Sequence, residues 1–180
     1  MIGRIATVNE VVEIVMRDQP FFRSSGGGVT LSGGEPLFQP EFVLDLLRAC
    51  NEAGLHTVVE TSGFVPWEVL AEVSRYTDLF LYDLKVMDAA RHLEFCGFSN
   101  DQIISNARLL SKSGAEIIFR TPVIPSINDG PDDMRMLEAF IASLPGKHPH
   151  ELMPYHRLGA GKYDALGREY PLSEEPCEQS

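Results

Sequence analysis

Apolar positions along this chain switch repeatedly between a helical spacing and a strand spacing, and the switching predicts most of its secondary structure. Val8, Val11, Val12, Val15 and Met16 fall on one helical face behind Thr7-Val8-Asn9-Glu10, a Thr-x-x-Glu capping box. That helix is expected to feed a short strand, Val29–Ser32, set between two glycine clusters. Pro40 suits a first helical residue, and Phe42, Leu46, Ala49, Cys50 and Ala53 carry an apolar stripe to a stop at Gly54. His56–Thr61 then reads as a strand. Pro66 opens the next helix, with Trp67, Leu70, Ala71 and Val73 for the core, and Leu79–Tyr82 is an unbroken apolar run suited to a strand covered on both faces. Ser99-x-x-Gln102 predicts a helix start carrying Ile103, Ala107 and Leu110 to Gly114, followed by a strand over Glu116–Ile124. Met134, Leu137, Phe140, Ile141 and Leu144 form a last helix closed by Pro145-Gly146, before a strand over Glu151–Tyr155.

Five strands separated by helices at intervals of roughly 25 to 35 residues predict right-handed crossovers and a parallel α/β sheet. Ligands in such folds sit at the C-terminal strand ends, and Glu35, Glu60, Asp83, Lys85, Arg120 and His156 all fall at or just past those ends. The 180 residues suit one domain, expected over 1–170, with a mobile tail over 171–180. A net charge of −11 argues against non-specific nucleic-acid binding and against a basic membrane anchor. No run approaches a membrane span, and Cys50, Cys96 and Cys177 stand too far apart for a disulfide framework, which predicts a reducing cytoplasm. The spacing of His148, His150 and His156 fits no common zinc pattern, so no metal site is expected there.

Among the strand ends, Gly33-Gly34-Glu35-Pro36 carries the most chemistry. Two glycines after a strand permit positive φ and let a ligand reach the main chain. Glu35 offers an acceptor for an ammonium group, and Pro36 biases it toward an extended backbone. An acid after Gly34 would repel a polyanion, so the loop does not read as a phosphate loop. The residues alone leave two alternatives open: a tight turn without a ligand, and a phosphate-binding barrel using Gly26 to Gly28.

The runs GGGVTLSGGEPL, HTVVETSGF, LFLYDLK, FRTPVIPSIND and MPYHRLG, in that order, resemble the successive strand-and-loop signatures of the activating enzymes of glycyl-radical enzymes. These are the pyruvate formate-lyase activase branch of the radical S-adenosylmethionine superfamily. The resemblance implies a partial, TIM-like (β/α) barrel, S-adenosylmethionine and a [4Fe-4S] cluster. It further implies reductive cleavage to a 5′-deoxyadenosyl radical, which abstracts hydrogen from a backbone glycine of a partner glycyl-radical enzyme. Flavodoxin or ferredoxin is the implied electron donor. Carried over by position, Gly33, Gly34 and Glu35 would hold the methionine amino group, and Asp83-Leu84-Lys85 would form the family's DxK element. Lys85 would reach the nucleotide or carboxylate region, Asp83 a hydroxyl or cation, Arg120 a carboxylate, and His156 the adenine. Glu60 stands where some relatives carry an aspartate that binds a monovalent cation.

The family's C-x-x-x-C-x-x-C cluster motif does not occur in this sequence. Its three thiolates hold three irons and leave the fourth open to the cofactor, and Cys50, Cys96 and Cys177 are not placed to replace them. The expectation is therefore five of six barrel strands, without the first strand and its cluster loop, and an unpaired edge on Val29–Ser32. This chain alone is expected to be inactive, with no catalytic residue assigned. The alternative is a catalytically silent fragment that binds S-adenosylmethionine or the partner.

Overall fold

The computed structural model describes residues 4–155 together with Gly167. In chain order the elements are α1 (Val8–Met16), α2 (Gln19–Ser25), β1 (Gly28–Leu31), a 3₁₀ turn (Pro36–Phe38), α3 (Pro40–Glu52), β2 (His56–Thr61), α4 (Trp67–Ser74) and β3 (Leu79–Asp83). They continue with α5 (Ala89–Cys96), α6 (Asp101–Lys112), β4 (Ile117–Val123), α7 (Pro131–Ala142) and β5 (His150–Pro154). The five strands form one sheet in the order β1-β2-β3-β4-β5, and every pairing is parallel. The alternation of strands and helices predicts the parallel sheet, and its sequence order matches the partial barrel that the family resemblance implies.

Strand period two separates the sheet into two faces. Val59, Phe80, Tyr82 and Phe119 are fully buried and pack on Leu46 and Leu47 of α3, Leu70 and Val73 of α4, Ala107 and Leu110 of α6 and Phe140 of α7. The alternate positions, among them Val58, Glu60, Leu81, Asp83, Ile118 and Arg120, are only half-buried and share the other face. Register carries this alternation across the sheet: Glu60 stands beside Leu81, Asp83 beside Arg120, and Arg120 beside Glu151. A slip of one residue in any strand would exchange its charged and core faces.

The capping box at α1 forms in full, with Glu10 N donating to Thr7 Oγ1 at 3.3 Å and Thr7 N donating to Glu10 at 2.7 Å. Gly54, in left-handed conformation at φ 70°, follows the end of α3. β1 stands at the end of the strand order with β2 as its one neighbour among the described residues.

Several boundaries differ from the sequence expectation. Two short helices, α2 and α5, interrupt segments that the apolar spacing leaves open. Each is one or two turns long, too short to display a period, and the sequence signals are their ends: Asp88 caps α5 and left-handed Gly97 closes it. α6 starts at Asp101, because Ser99 Oγ donates to the Asp101 side chain and Asn100 uses its amide on the carbonyls of Val86 and Met87. α7 starts earlier than its apolar stripe, at Pro131. The tail expected from residue 171, with His156 and Cys177, lies outside the described residues.

Candidate active site at the strand ends

The loop leaving β1 has the backbone its sequence calls for. Gly33 adopts φ 142°, and a Cβ built on Gly33 or Gly34 would meet nothing within 4 Å, so the main chain there stands open to a ligand. Glu35 is extended (φ −124°, ψ 107°) before Pro36, which starts the 3₁₀ turn. The carboxylate itself is turned to the protein. Its Oε1 accepts from Leu37 N at 3.3 Å and Thr61 Oγ1 at 2.8 Å, and its Oε2 accepts from Ser62 N at 3.0 Å and Ser62 Oγ at 2.7 Å. A carboxylate has about four acceptor positions, and these four donors take them. Glu35 thus ties the exit of β1 to the exit of β2, and the role of direct amine acceptor read from its sequence is filled by the chain's own donors.

Behind this strut lies a charged cluster on the half-buried face. Arg120 Nη1 stands 3.2 Å from Glu60 Oε1, reaching from β4 across β3 to β2, while Ser32 Oγ donates to the other Glu60 oxygen at 2.9 Å. Arg120 Nη2 also contacts Met153 Sδ at 2.7 Å, and its Nε lies 4.0 Å from Glu151 on β5. Asp83 sits between these partners in the sheet, yet its Oδ1 is buried without a hydrogen bond among the described residues. Burial is the main cause that pushes its carboxyl up to about 6, against the pull of Lys85 and Arg120 and with the repulsion of Glu60 and Glu35. A carboxyl raised to about 6 is half-protonated near pH 6 and mostly ionised at pH 7, where its free oxygen can accept from a polar ligand.

Two members of the expected site differ in kind from the rest. Leu84 is 2% exposed and belongs to the core, and its N–H donates to Arg120 O at 2.9 Å, so its side chain has no access to a ligand. Alternation explains this, because the position after Asp83 points to the helix side. Lys85 is exposed, with its backbone carbonyl held by Asn128 Nδ2 at 2.6 Å. Thr61, Ser62, Ser32 and Asn128 hold the candidate residues in place, by bonds to Glu35, Glu60 and the Lys85 carbonyl, and the chemistry of the sequence did not single them out. Thr61, Ser62 and Asn128 lie inside the runs ETSGF and SIND, where small hydroxyl and amide residues follow apolar strands.

A groove of about 720 Å³ lies elsewhere, between α6 and α7, lined by Ile104, Arg108, Met136 and Phe140 and by none of Glu35, Glu60, Asp83, Lys85 and Arg120. His148 and His150 serve separate partners, Ser111 and Thr121. Cys50 is buried on α3 and Cys96 half-buried on α5, and among the described residues no group of three His, Cys, Asp or Glu side chains could hold a metal ion. Two thiols on separate helices do not, among the described residues, make the three-thiolate set that a [4Fe-4S] cluster requires.

Fold and site together define a half-open α/β barrel whose open main chain and charged strand ends share one edge. The family described as the radical SAM superfamily matches residues 2–137. The choline trimethylamine-lyase activating enzyme of Oleidesulfovibrio alaskensis is 41% identical over 180 residues, 98% of this chain and 58% of the relative. The pyruvate formate-lyase 1-activating enzyme of Escherichia coli is 38% identical over 172 residues, 94% of this chain and 70% of the relative. A domain of the pyruvate-formate lyase-activating enzyme from Bacteroides vulgatus superposes with a TM-score of 0.68 at 39% identity, covering 73% of this chain and 82% of that one. The chain belongs to the radical SAM superfamily, in its branch of glycyl-radical enzyme activating enzymes. It spans 55–58% of the length of the first several curated relatives.

Proposed function

We propose that this chain supplies the S-adenosylmethionine-binding strand ends of a glycyl-radical enzyme activating enzyme. The observation that carries the reading is the meeting, on one barrel edge, of an open Gly33-Gly34 main chain with the Glu60–Arg120 pair and with Asp83, whose Oδ1 has no hydrogen bond among the described residues. Gly33 and Gly34 receive the amino-acid end of the cofactor, held in place by the Glu35 strut. Arg120 meets the carboxylate with a planar fork, and Lys85 adds charge from the neighbouring exit. Asp83 takes a hydroxyl, and His156, outside the described residues, is assigned to the adenine. When bound and given one electron by an external donor, S-adenosylmethionine would release methionine and supply the 5′-deoxyadenosyl group that takes a hydrogen atom from a backbone glycine of a partner glycyl-radical enzyme. Flavodoxin or ferredoxin is proposed as the electron donor and the cytoplasm as the compartment. No described helix is long and apolar enough to cross a membrane.

Isothermal titration of the full chain with S-adenosylmethionine tests this. Saturable binding, weakened about tenfold or more in Arg120→Ala by loss of a charge-assisted contact, is the expected result. Absence of binding by the wild-type chain would overturn the reading. The set of described thiols favours a second reading, in which the chain binds the cofactor without cleaving it. Anaerobic iron–sulfur reconstitution separates the two. A stoichiometric cluster with 5′-deoxyadenosine as product rejects the binding-only fragment, and neither product supports it.

A further inference from the structure

We propose that Asn128 is a positioning residue that sets the spacing between the strand exits bearing Lys85 and Arg120. The regular ladder between β3 and β4 runs to Leu84 N, which donates to Arg120 O at 2.9 Å. Beyond that point the two exits have no further rung, and two carbonyls, Lys85 O and Pro122 O, face the gap. Asn128 fills it. Its Nδ2 donates to Lys85 O at 2.6 Å and to Pro122 O at 2.9 Å, and its Oδ1 accepts from Ile124 N at 2.6 Å. The side chain is 1% exposed, so none of these bonds is shared with solvent. An amide is the group that suits the place, since its two donors satisfy two carbonyls while its oxygen satisfies an N–H.

The loop that presents Asn128 is itself fastened. Ile127 N and Asn128 N donate to Ile124 O, at 3.0 and 3.2 Å, and Ser126, at φ 63°, donates to Asp129 at 2.9 Å. From outside, Arg91 of α5 grips Ile127 O and pairs with Asp133 of α7. A brace held from both sides transmits position. Lys85 is exposed and long, but its backbone origin relative to Arg120 is fixed by Asn128. The two cations that would face a carboxylate therefore keep a set separation.

This proposal rests on the reading of these strand ends as an S-adenosylmethionine site. The test compares wild type and Asn128→Ala, as full chains, by titration with S-adenosylmethionine and with its decarboxylated form, which lacks the group that Lys85 and Arg120 would meet. Wild type is expected to prefer S-adenosylmethionine by about tenfold, and the variant to keep its affinity for the decarboxylated form while the preference falls to about twofold or less. An equal loss of affinity for both ligands, the mark of a merely structural role, overturns the proposal, as does an unchanged preference. Asn128→Asp keeps the volume and the acceptor for Ile124 but withdraws both donated bonds, and makes the same comparison if the alanine variant does not fold. Where wild type binds neither ligand, the proposed function falls and amide hydrogen exchange decides this inference. Faster exchange confined to residues 84–87 and 120–124 in the variant supports the brace, and unchanged exchange there overturns it.

Discussion

Glu35 and Asp83 are both carboxylates at C-terminal strand ends of one sheet, and the protein treats them in opposite ways. Glu35 receives four donors from Leu37, Thr61 and Ser62, whereas Asp83 has a buried oxygen with none among the described residues. The first is spent on holding two loops together. The second is left short of partners, in a setting that pushes its carboxyl up to about 6. Two ends of one sheet, β1 and β3 with β2 between them, thus use their carboxylates differently, since a satisfied carboxylate stabilises and an unsatisfied one leaves an acceptor unused at a cost to the fold.

The strongest way to break this comparison is Glu35→Ala. It strips the partners from Thr61 and Ser62 and is expected to cost about 3 to 4 kcal/mol in urea unfolding. A loss below about 1 kcal/mol would show that the strut is dispensable. Asp83→Asn should act in the opposite direction. The native carboxyl titrates at about 6 against an ordinary 3.8, so between those values the native state binds more protons than the unfolded one. Stability from this group therefore falls as pH rises through that window, by on the order of 3 kcal/mol. Asp83→Asn should be more stable than wild type at pH 7 and lose that advantage near pH 4, and a pH-independent difference would contradict the assignment. At the weak end, Arg75→Ala breaks an exposed pair with Glu72 at 3.4 Å and should change stability by less than about 0.5 kcal/mol. A larger effect would mean that surface pairs carry weight here that the two strand-end carboxylates should hold alone.

The order of strands and helices was legible because each long element repeats its apolar spacing several times. β2 was readable over His56–Thr61, and the capping box located the start of α1 at Val8. α2 and α5 were not, since seven and eight residues do not establish a period. Gly33-Gly34-Glu35-Pro36 announced a special loop, and the extended Glu35 before Pro36 followed from proline sterics. The destination of the Glu35 carboxylate did not follow, because Thr61 and Ser62 are 26 and 27 residues away in the chain. Leu84 was read as part of a ligand-facing triplet, but period two in β3 sends it to the core between Asp83 and Lys85.

By itself the sequence determined the parallel α/β barrel architecture, the family, and the set of polar residues that end its strands. Local steric preference and apolar period act within a few residues, and both are written in the chain. Only the tertiary structure decided which of those polar residues are paired: Glu60 with Arg120, Glu35 with the β2 exit, Asn128 with two carbonyls, and one Asp83 oxygen with no partner among the described residues. Pairing depends on register between strands distant in sequence, and it is the register that turns one carboxylate into a strut and leaves an oxygen of another without a donor among the described residues.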